Sequence, residues 1–191
     1  MRGIARQLGL ELTLGSRPGR GSVFRLAFSI DESEQADRFE KAVPIGGEIR
    51  ALKGRILLLE DNRFVRDALK GMLESWGAEV VAEGEPGEGF YRRAAETQDV
   101  IALVSDYNLG ADKPNGLEAA GMIEAHMKRP VPTVMLTAVA VDQIEGEYRK
   151  RREEGRVAPS LLPHILQKPA DARSLNESIV RVRPAAENAG A

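Results

Sequence analysis

Cysteine is absent from the 191 residues, and long apolar runs are absent as well. Without cysteine the sequence offers neither a disulfide framework nor thiolate metal ligands, which is compatible with a reducing compartment. No apolar stretch approaches the roughly 20 residues that a membrane-spanning helix needs. The N-terminus also lacks the charged and then apolar profile of a signal peptide. We therefore predict a cytoplasmic location and no membrane segment in this chain.

An excess of charge of one sign is also missing. The 27 Lys and Arg side chains are balanced by 29 Asp and Glu side chains, which gives a formal net charge of -2. Nucleic acid is therefore not an expected partner, because no basic surface would attract it. Histidine is scarce too, and neither His126 nor His164 has a second histidine at metal-ligand spacing. We assign both to surface or helix-end roles.

Short apolar runs alternate with helical patterns from residue 54 onward. The runs predict five strands, in RILLLE, AEVVA, DVIALVS, VPTVMLTA and PHILQKP. The first helical pattern is NRFVRDALKGMLESWG, in which apolar residues recur at helical spacing and predict a buried face: Phe64, Val65, Ala68, Leu69, Met72, Leu73 and Trp76. A charged helix follows the fourth strand, and we interpret its RKRREE run as a solvated face. Strands that alternate with helices predict an α/β doubly wound parallel sheet.

The N-terminal part of the chain has a different pattern. A short helical pattern, RGIARQLG, precedes two alternating runs, LELTLGS and SVFRLAFSI, which are joined by RPGRG and predict a β-hairpin. We assign residues 1–30 to this appendage, 31–53 to a linker, 54–183 to the main domain and 184–191 to a disordered tail. Because the hairpin exposes apolar edges, it is expected either to pair with another chain, as in a homodimer, or to pack on the main domain.

Polar side chains follow four of the five predicted strands, and together they predict one site. Glu60 and Asp61 follow the first strand, Asp106 the third, Thr137 the fourth and Lys168 the fifth. Ligands of open parallel sheets bind at this edge. Carboxylates gathered there repel one another unless a hard cation such as Mg²⁺ lies among them, and Mg²⁺ also accepts phosphate oxygens as ligands. The aspartate after the third strand is then a candidate nucleophile toward phosphorus.

Each of these residues has an ordinary explanation when it is considered alone. Asp106 is compatible with a turn-capping residue, Thr137 with a strand threonine, and Lys168 with a surface lysine at a turn. Their combination at one edge of a sheet favours a phosphoryl site over the ordinary explanations.

Four strand-end segments, LLLEDN, SDYNLG, VMLTA and LQKP, occur in the order typical of receiver domains from two-component signalling. Residues 54–183 thus resemble a response-regulator receiver. The resemblance implies a flavodoxin-like sheet with the strand order 2-1-3-4-5. It implies that the receiver catalyses its own phosphorylation, without turnover of an external substrate. It also implies that its partner is a histidine kinase or a histidine phosphotransfer protein. The resemblance implies that Asp106 is phosphorylated. It implies that Asp61, Asp106 and the Asn108 carbonyl bind Mg²⁺, with Glu60 acting through water. It also implies that Thr137 and Lys168 read out the phosphoryl group.

The segment IARQLGLELTLGSRPGRGSVFRLAF carries a second resemblance, to the last helix and final hairpin of the ATP-binding domain of histidine kinases. The asparagine-rich and glycine-rich boxes that hold nucleotide in those kinases are not in this sequence, so we do not expect ATP binding. The order of kinase tail, linker and receiver indicates the C-terminal part of a hybrid histidine kinase, or the product of a late start codon.

The sequence departs from the receiver pattern at three places. The loop YNLGADKPNG after Asp106 and the segment between Thr137 and Lys168 are both longer than the family pattern, and Ile165 stands where many receivers have a switch aromatic. These departures keep open a pseudo-receiver that binds proteins without being phosphorylated. An aspartate-nucleophile phosphatase is less favoured, since such enzymes usually have a second aspartate at the position of Asn108.

Overall fold

The structure is a computed structural model that describes residues 11–17, 21–27 and 49–183. The chain forms two compact units, which divide between Gly47 and Glu48. In the first unit, β1 (Glu11–Arg17) and β2 (Gly21–Ala27) pair antiparallel along their whole length, which confirms the predicted hairpin. The predicted helix before the hairpin, most of the predicted linker and the tail at 184–191 lie outside the described residues.

The second unit alternates strands and helices. Its strands are β3 (Arg55–Leu59), β4 (Glu79–Glu83), β5 (Val100–Asp106), β6 (Thr133–Thr137) and β7 (His164–Gln167). Its helices are α1 (Arg63–Ser75), α2 (Glu88–Glu96), α3 (Gly116–Met127), α4 (Val141–Glu153) and α5 (Ala172–Val182). All neighbouring strands pair in parallel in the order β4-β3-β5-β6-β7. Counted within this unit, the order is 2-1-3-4-5, so the fold prediction is confirmed.

Strand β3 lies inside the sheet, and its apolar run, residues 56–59, is buried on both faces. Because successive side chains of a strand point to opposite faces, Ile56 and Leu58 pack with α1 and α5, whereas Leu57 and Leu59 pack with α2 and α3. Trp76 belongs to the first of these two cores, as expected. The helices therefore cover both faces of the sheet and leave its carboxyl edge to the loops.

Two details differ from the expectations. Phe64 is 84% exposed, and Val65 and Ala68 are also exposed, although helical spacing placed all three on the buried face. They lie in the first two turns of α1, before the residues of this helix that pack in the core. Leu52, inside the predicted linker, is fully buried in the core, and its backbone N–H donates to the Trp76 carbonyl at 2.7 Å.

The longer segment between Thr137 and Lys168 contains α4, the loop 154–163 and β7, and the loop packs on α3. The nearest backbone atom of Ala158 would lie 2.8 Å from a Cβ added at Gly121 of α3. Glu124 of α3 accepts the Ser160 N–H at 2.7 Å. The extra residues are therefore part of the packed domain. Among the described residues, no helix has the length and apolar character needed to cross a bilayer.

Candidate functional site

Four strands carry the site residues to one edge of the sheet. Asp106 and Thr137 are the last residues of β5 and β6, while Glu60 and Lys168 directly follow β3 and β7. The Nζ atom of Lys168 lies 2.8 Å from Oδ2 of Asp106 and 3.5 Å from Oε2 of Glu60. Residues that are as many as 108 positions apart in the chain thus form one charged cluster.

Three carboxylates share this cluster. One oxygen from each of Glu60, Asp61 and Asp106 lies within 4.8 Å of the others, and this is the acidic group that could hold a metal ion within the described residues. Glu60 is only 2% exposed. Its burial raises the pKa of its carboxyl group, and the charge of Asp106 adds to this effect, although Lys168 opposes it. A divalent cation fits this set of donors, because it would relieve the repulsion between the carboxylates.

The turn after β3 is held by hydrogen bonds that fix the two neighbouring acids. Asn62 donates its backbone N–H to Oε1 of Glu60 at 3.2 Å, and its side chain caps α1 by accepting the Phe64 N–H at 3.0 Å. Arg66 donates to the carbonyl oxygens of Glu60 and Asp61 at 2.7 and 3.3 Å. The start of α1 therefore orients the acidic pair.

Lys168 is the cation of the site. Burial lowers the pKa of its ammonium group, but the hydrogen bond and charge of Asp106, together with the charge of Glu60, outweigh burial and raise it above the ordinary value. The lysine therefore stays protonated. Its backbone N–H donates to the Thr137 carbonyl at 2.6 Å, so that the ends of β6 and β7 are joined.

Thr137 and Asn108 lie at the same edge of the sheet. Thr137 is fully buried, and its Oγ1 accepts the Val139 N–H at 2.9 Å, so its own hydroxyl hydrogen remains available to a ligand. Asn108 donates its backbone N–H to Oδ1 of Asp106 at 3.4 Å. The roles that the family resemblance gives to these two residues stay predictions.

A buried ion-pair network borders the site, and the sequence analysis did not predict it. Arg151 of α4 is only 5% exposed, although it belongs to the RKRREE run that was interpreted as a solvated face, and that interpretation is wrong for this residue. Its guanidinium group binds Glu147 at 2.7 Å and Glu118 of α3 at 2.9 Å. The i,i+4 spacing of Glu147 and Arg151 was the only sequence signal, and exposed helices show the same spacing.

The chain is similar to known proteins in both sequence and fold. No family model matches the chain. Curated relatives that match are chemotaxis protein CheY homologues from three strains of Campylobacter jejuni, each 29% identical over 84 residues. The match covers 44% of this chain and 63% of each relative, so it spans less than two thirds of their length.

Solved structures match over a larger part of the chain. A response regulator receiver domain protein from Clostridium thermocellum has a TM-score of 0.52 at 21% identity and covers 68% of this chain and 94% of its own. The receiver domain of a sensor histidine kinase from Pseudomonas aeruginosa has a TM-score of 0.51 at 27% identity and covers 69% and 98%. The strand order and the matched proteins indicate the same kind of domain. The chain contains a CheY-like receiver domain.

The receiver domain from Pseudomonas aeruginosa was solved with a magnesium ion coordinated in its active-site cleft. In the receiver domain described here, the acidic cluster of Glu60, Asp61 and Asp106 lies at the carboxyl edge of the sheet, with Lys168 beside it. The donor chemistry of this cluster is that of a site for a hard divalent cation.

Proposed function

We propose that the receiver domain accepts a phosphoryl group on Asp106 in a two-component phosphorelay. The observation that carries the proposal is the contact of Lys168 Nζ with Asp106 Oδ2 at 2.8 Å beside two further carboxylates. This arrangement gives a single aspartate both a cation partner and an adjacent metal-type site. Asp106 is 13% exposed at its side chain, so a partner's phosphoryl group can reach it from solvent.

In the proposed reaction, an oxygen of Asp106 attacks the phosphorus atom of a phosphohistidine. The P–N bond breaks, and the imidazole of the donor leaves with the electron pair and takes up a proton. Asp61, Asp106 and the Asn108 carbonyl would hold Mg²⁺, with Glu60 acting through water, and the cation would offset the negative charge of the phosphoryl group. Lys168 then moves from the carboxylate to a phosphoryl oxygen, and the Thr137 hydroxyl donates to another.

The phosphohistidine belongs to a histidine kinase or a histidine phosphotransfer protein in this proposal. The resemblance of the N-terminal hairpin to the end of a kinase ATP-binding domain supports a parent protein of the hybrid histidine kinase type. A cytoplasmic location is part of the same proposal, because two-component phosphorelays operate there. The receiver turns over no external substrate in this scheme.

The proposal is tested by incubating the full chain with acetyl phosphate and Mg²⁺ and measuring its intact mass. We expect the mass of one phosphoryl group to be added, and we expect chelation of the metal to prevent this addition. Asp106→Asn is the matched control, since the amide keeps the shape of the side chain but is not a nucleophile.

A wild-type chain that stays unmodified would favour the pseudo-receiver, a protein-binding module that works without phosphorylation. A mass gain that persists in Asp106→Asn would also contradict the proposal, because the phosphoryl group would then be on another residue.

A further inference from the structure

One carboxylate of α4 holds both ends of the loop that follows the phosphoacceptor. This loop, residues 107–115, begins directly after Asp106 and ends at the cap of α3. Glu147 accepts a hydrogen bond from the Tyr107 hydroxyl on Oε2, and it accepts the side-chain amide of Asn115 on Oε1 at 3.0 Å. A single side chain of a distant helix thus closes the loop at its base.

The amide of Asn115 has its orientation set by the cap of α3. Its Oδ1 accepts the Glu118 N–H at 3.1 Å, and the Glu118 side chain accepts the Asn115 N–H at 3.0 Å, which together form a capping box. The amide nitrogen is therefore the group left to face Glu147. The contact between loop and α4 follows from the local structure at the start of α3.

Arg151 completes the network and neutralises part of its charge. It donates to Oε1 of Glu147 at 2.7 Å and to Oε1 of Glu118 at 2.9 Å, and it is almost fully buried. Although burial raises the pKa of Glu147, the hydrogen bonds from Tyr107, Arg151 and Asn115 outweigh it and lower the pKa. The carboxylate therefore stays ionised, as three donors require.

The backbone at the base of the loop is packed without spare room. The Gly116 N–H donates to the Tyr107 carbonyl at 2.8 Å, and a Cβ added at Gly116 would lie 2.5 Å from the Asp106 carbonyl oxygen. A shift of Tyr107 would consequently move the chain on both sides of it, which includes Asp106 and Asn108. Side chains that hold metal ligands in place in this way commonly tune metal affinity.

We propose that Glu147 is a positioning residue for the phosphoacceptor site, which sets the geometry of the Asp106 and Asn108 end of the loop through Tyr107 and Asn115. The inference rests on the proposed function, because it assigns Glu147 to the Mg²⁺ site of that proposal. It also joins the two longer segments of the receiver domain, since the loop 107–115 is held by the helix that opens the long segment after β6.

The test is a calorimetric titration of the full-length chain with Mg²⁺ alone, in the wild type and in three variants, one of which is a control. Glu147→Gln removes the charge and retains the shape, and we expect it to raise the Kd for Mg²⁺ roughly tenfold. Tyr107→Phe removes one hydroxyl and leaves the pairs of Arg151 intact, and we expect a smaller increase. Glu177→Gln is the matched control, because Glu177 makes an exposed i,i+4 pair with Arg173 at 2.8 Å, and its Kd should equal the wild-type value.

Hydrogen exchange of the backbone amides of residues 108–115 is the second readout, measured without metal. Faster exchange in Glu147→Gln and Tyr107→Phe, with unchanged exchange in Glu177→Gln, is the expected result. Equal Mg²⁺ affinity in all four proteins would overturn the inference even if the variants were less stable, since a purely structural network lowers stability without changing the affinity of the folded site.

The titration uses no phosphoryl donor, so it separates the two proposals. A wild type that binds Mg²⁺ but takes no phosphoryl group would contradict the proposed function and leave the role of Glu147 to be decided by the variants. A wild type that is phosphorylated, with Glu147→Gln binding Mg²⁺ equally well, would contradict the role of Glu147 alone. A wild type that binds no Mg²⁺ would overturn both.

Discussion

Lys168 contacts two of the three carboxylates at the site, and its removal leaves those charges without their cation. The pair with Asp106 is short, at 2.8 Å, and the partner Glu60 is buried. Removing one member of such a pair costs more than the pair contributes, because the remaining charge stays buried without a partner. The stability of the receiver domain should therefore depend on this lysine.

We predict that Lys168→Met lowers the free energy of unfolding by about 1–3 kcal/mol in metal-free buffer. Added Mg²⁺ should raise the melting temperature of this variant more than that of the wild type, because the cation binds the folded state and replaces the missing charge. Thermal melts with and without Mg²⁺ measure both effects.

Lys70→Met is the matched control for this prediction. Lys70 makes an i,i+4 pair with Glu74 at 3.8 Å on the partly exposed surface of α1, and such pairs contribute little. If Lys168→Met and Lys70→Met melt alike, and Mg²⁺ shifts both equally, the acidic cluster is not under the repulsion that we describe.

The sequence predicted that the residues of the site cluster, because each ends a strand or follows one closely. A parallel sheet brings the carboxyl ends of its strands to one edge, so Glu60, Asp61, Asp106 and Lys168 were expected together before any distance was known. Glu147 was not found, because it lies inside a helix at a position that the sheet topology does not constrain. The roles of Thr137 and Asn108 depend on a bound phosphoryl group or metal and await experiment.

At the scale of elements, α4 and the loop after it are the least predictable part of the fold. The helix was expected, but its charged sequence has no apolar stripe to show which face is buried. In the structure Ile144 and Arg151 are its buried residues, and Arg151 is buried because two carboxylates surround it. In α1, by contrast, apolar periodicity predicted the buried face from the sequence, and the exceptions are Phe64, Val65 and Ala68, which are exposed.

The close packing of the loop 154–163 on α3 gives a prediction for Gly121. In Gly121→Ala the new methyl group would meet backbone atoms of Ala158 at 2.8–2.9 Å, which cannot move as a flexible side chain would. We expect a loss of about 1–3 kcal/mol in the free energy of unfolding, measured by urea denaturation.

Gly71→Ala is the control for the same substitution in a helix. A Cβ at Gly71 of α1 would have no neighbour within 4 Å outside its own helix in the described part of the chain, so this variant should gain up to about 1 kcal/mol from helix propensity. Stabilisation by both substitutions would show that the loop 154–163 does not pack on α3 in solution.

At the scale of the whole molecule, the chain consists of two compact units, and every residue of the candidate site lies in the second. We predict that a chain starting at Glu48 folds cooperatively and takes up the phosphoryl group from acetyl phosphate at the rate of the full chain. Circular dichroism and intact mass over time measure this. A folded shortened chain that is not modified would show that the first unit takes part in the reaction.

The central claim is that Asp106 carries the phosphoryl group, and the most direct measurement is its chemical localisation. The full chain is treated with acetyl phosphate and Mg²⁺ and then reduced with borohydride, which converts an acyl phosphate of aspartate to homoserine. Peptide mass mapping then locates the change. Our account predicts homoserine at position 106 in the wild type, dependent on Mg²⁺. Homoserine at Asp61 or at another aspartate, or no homoserine at all, would contradict it.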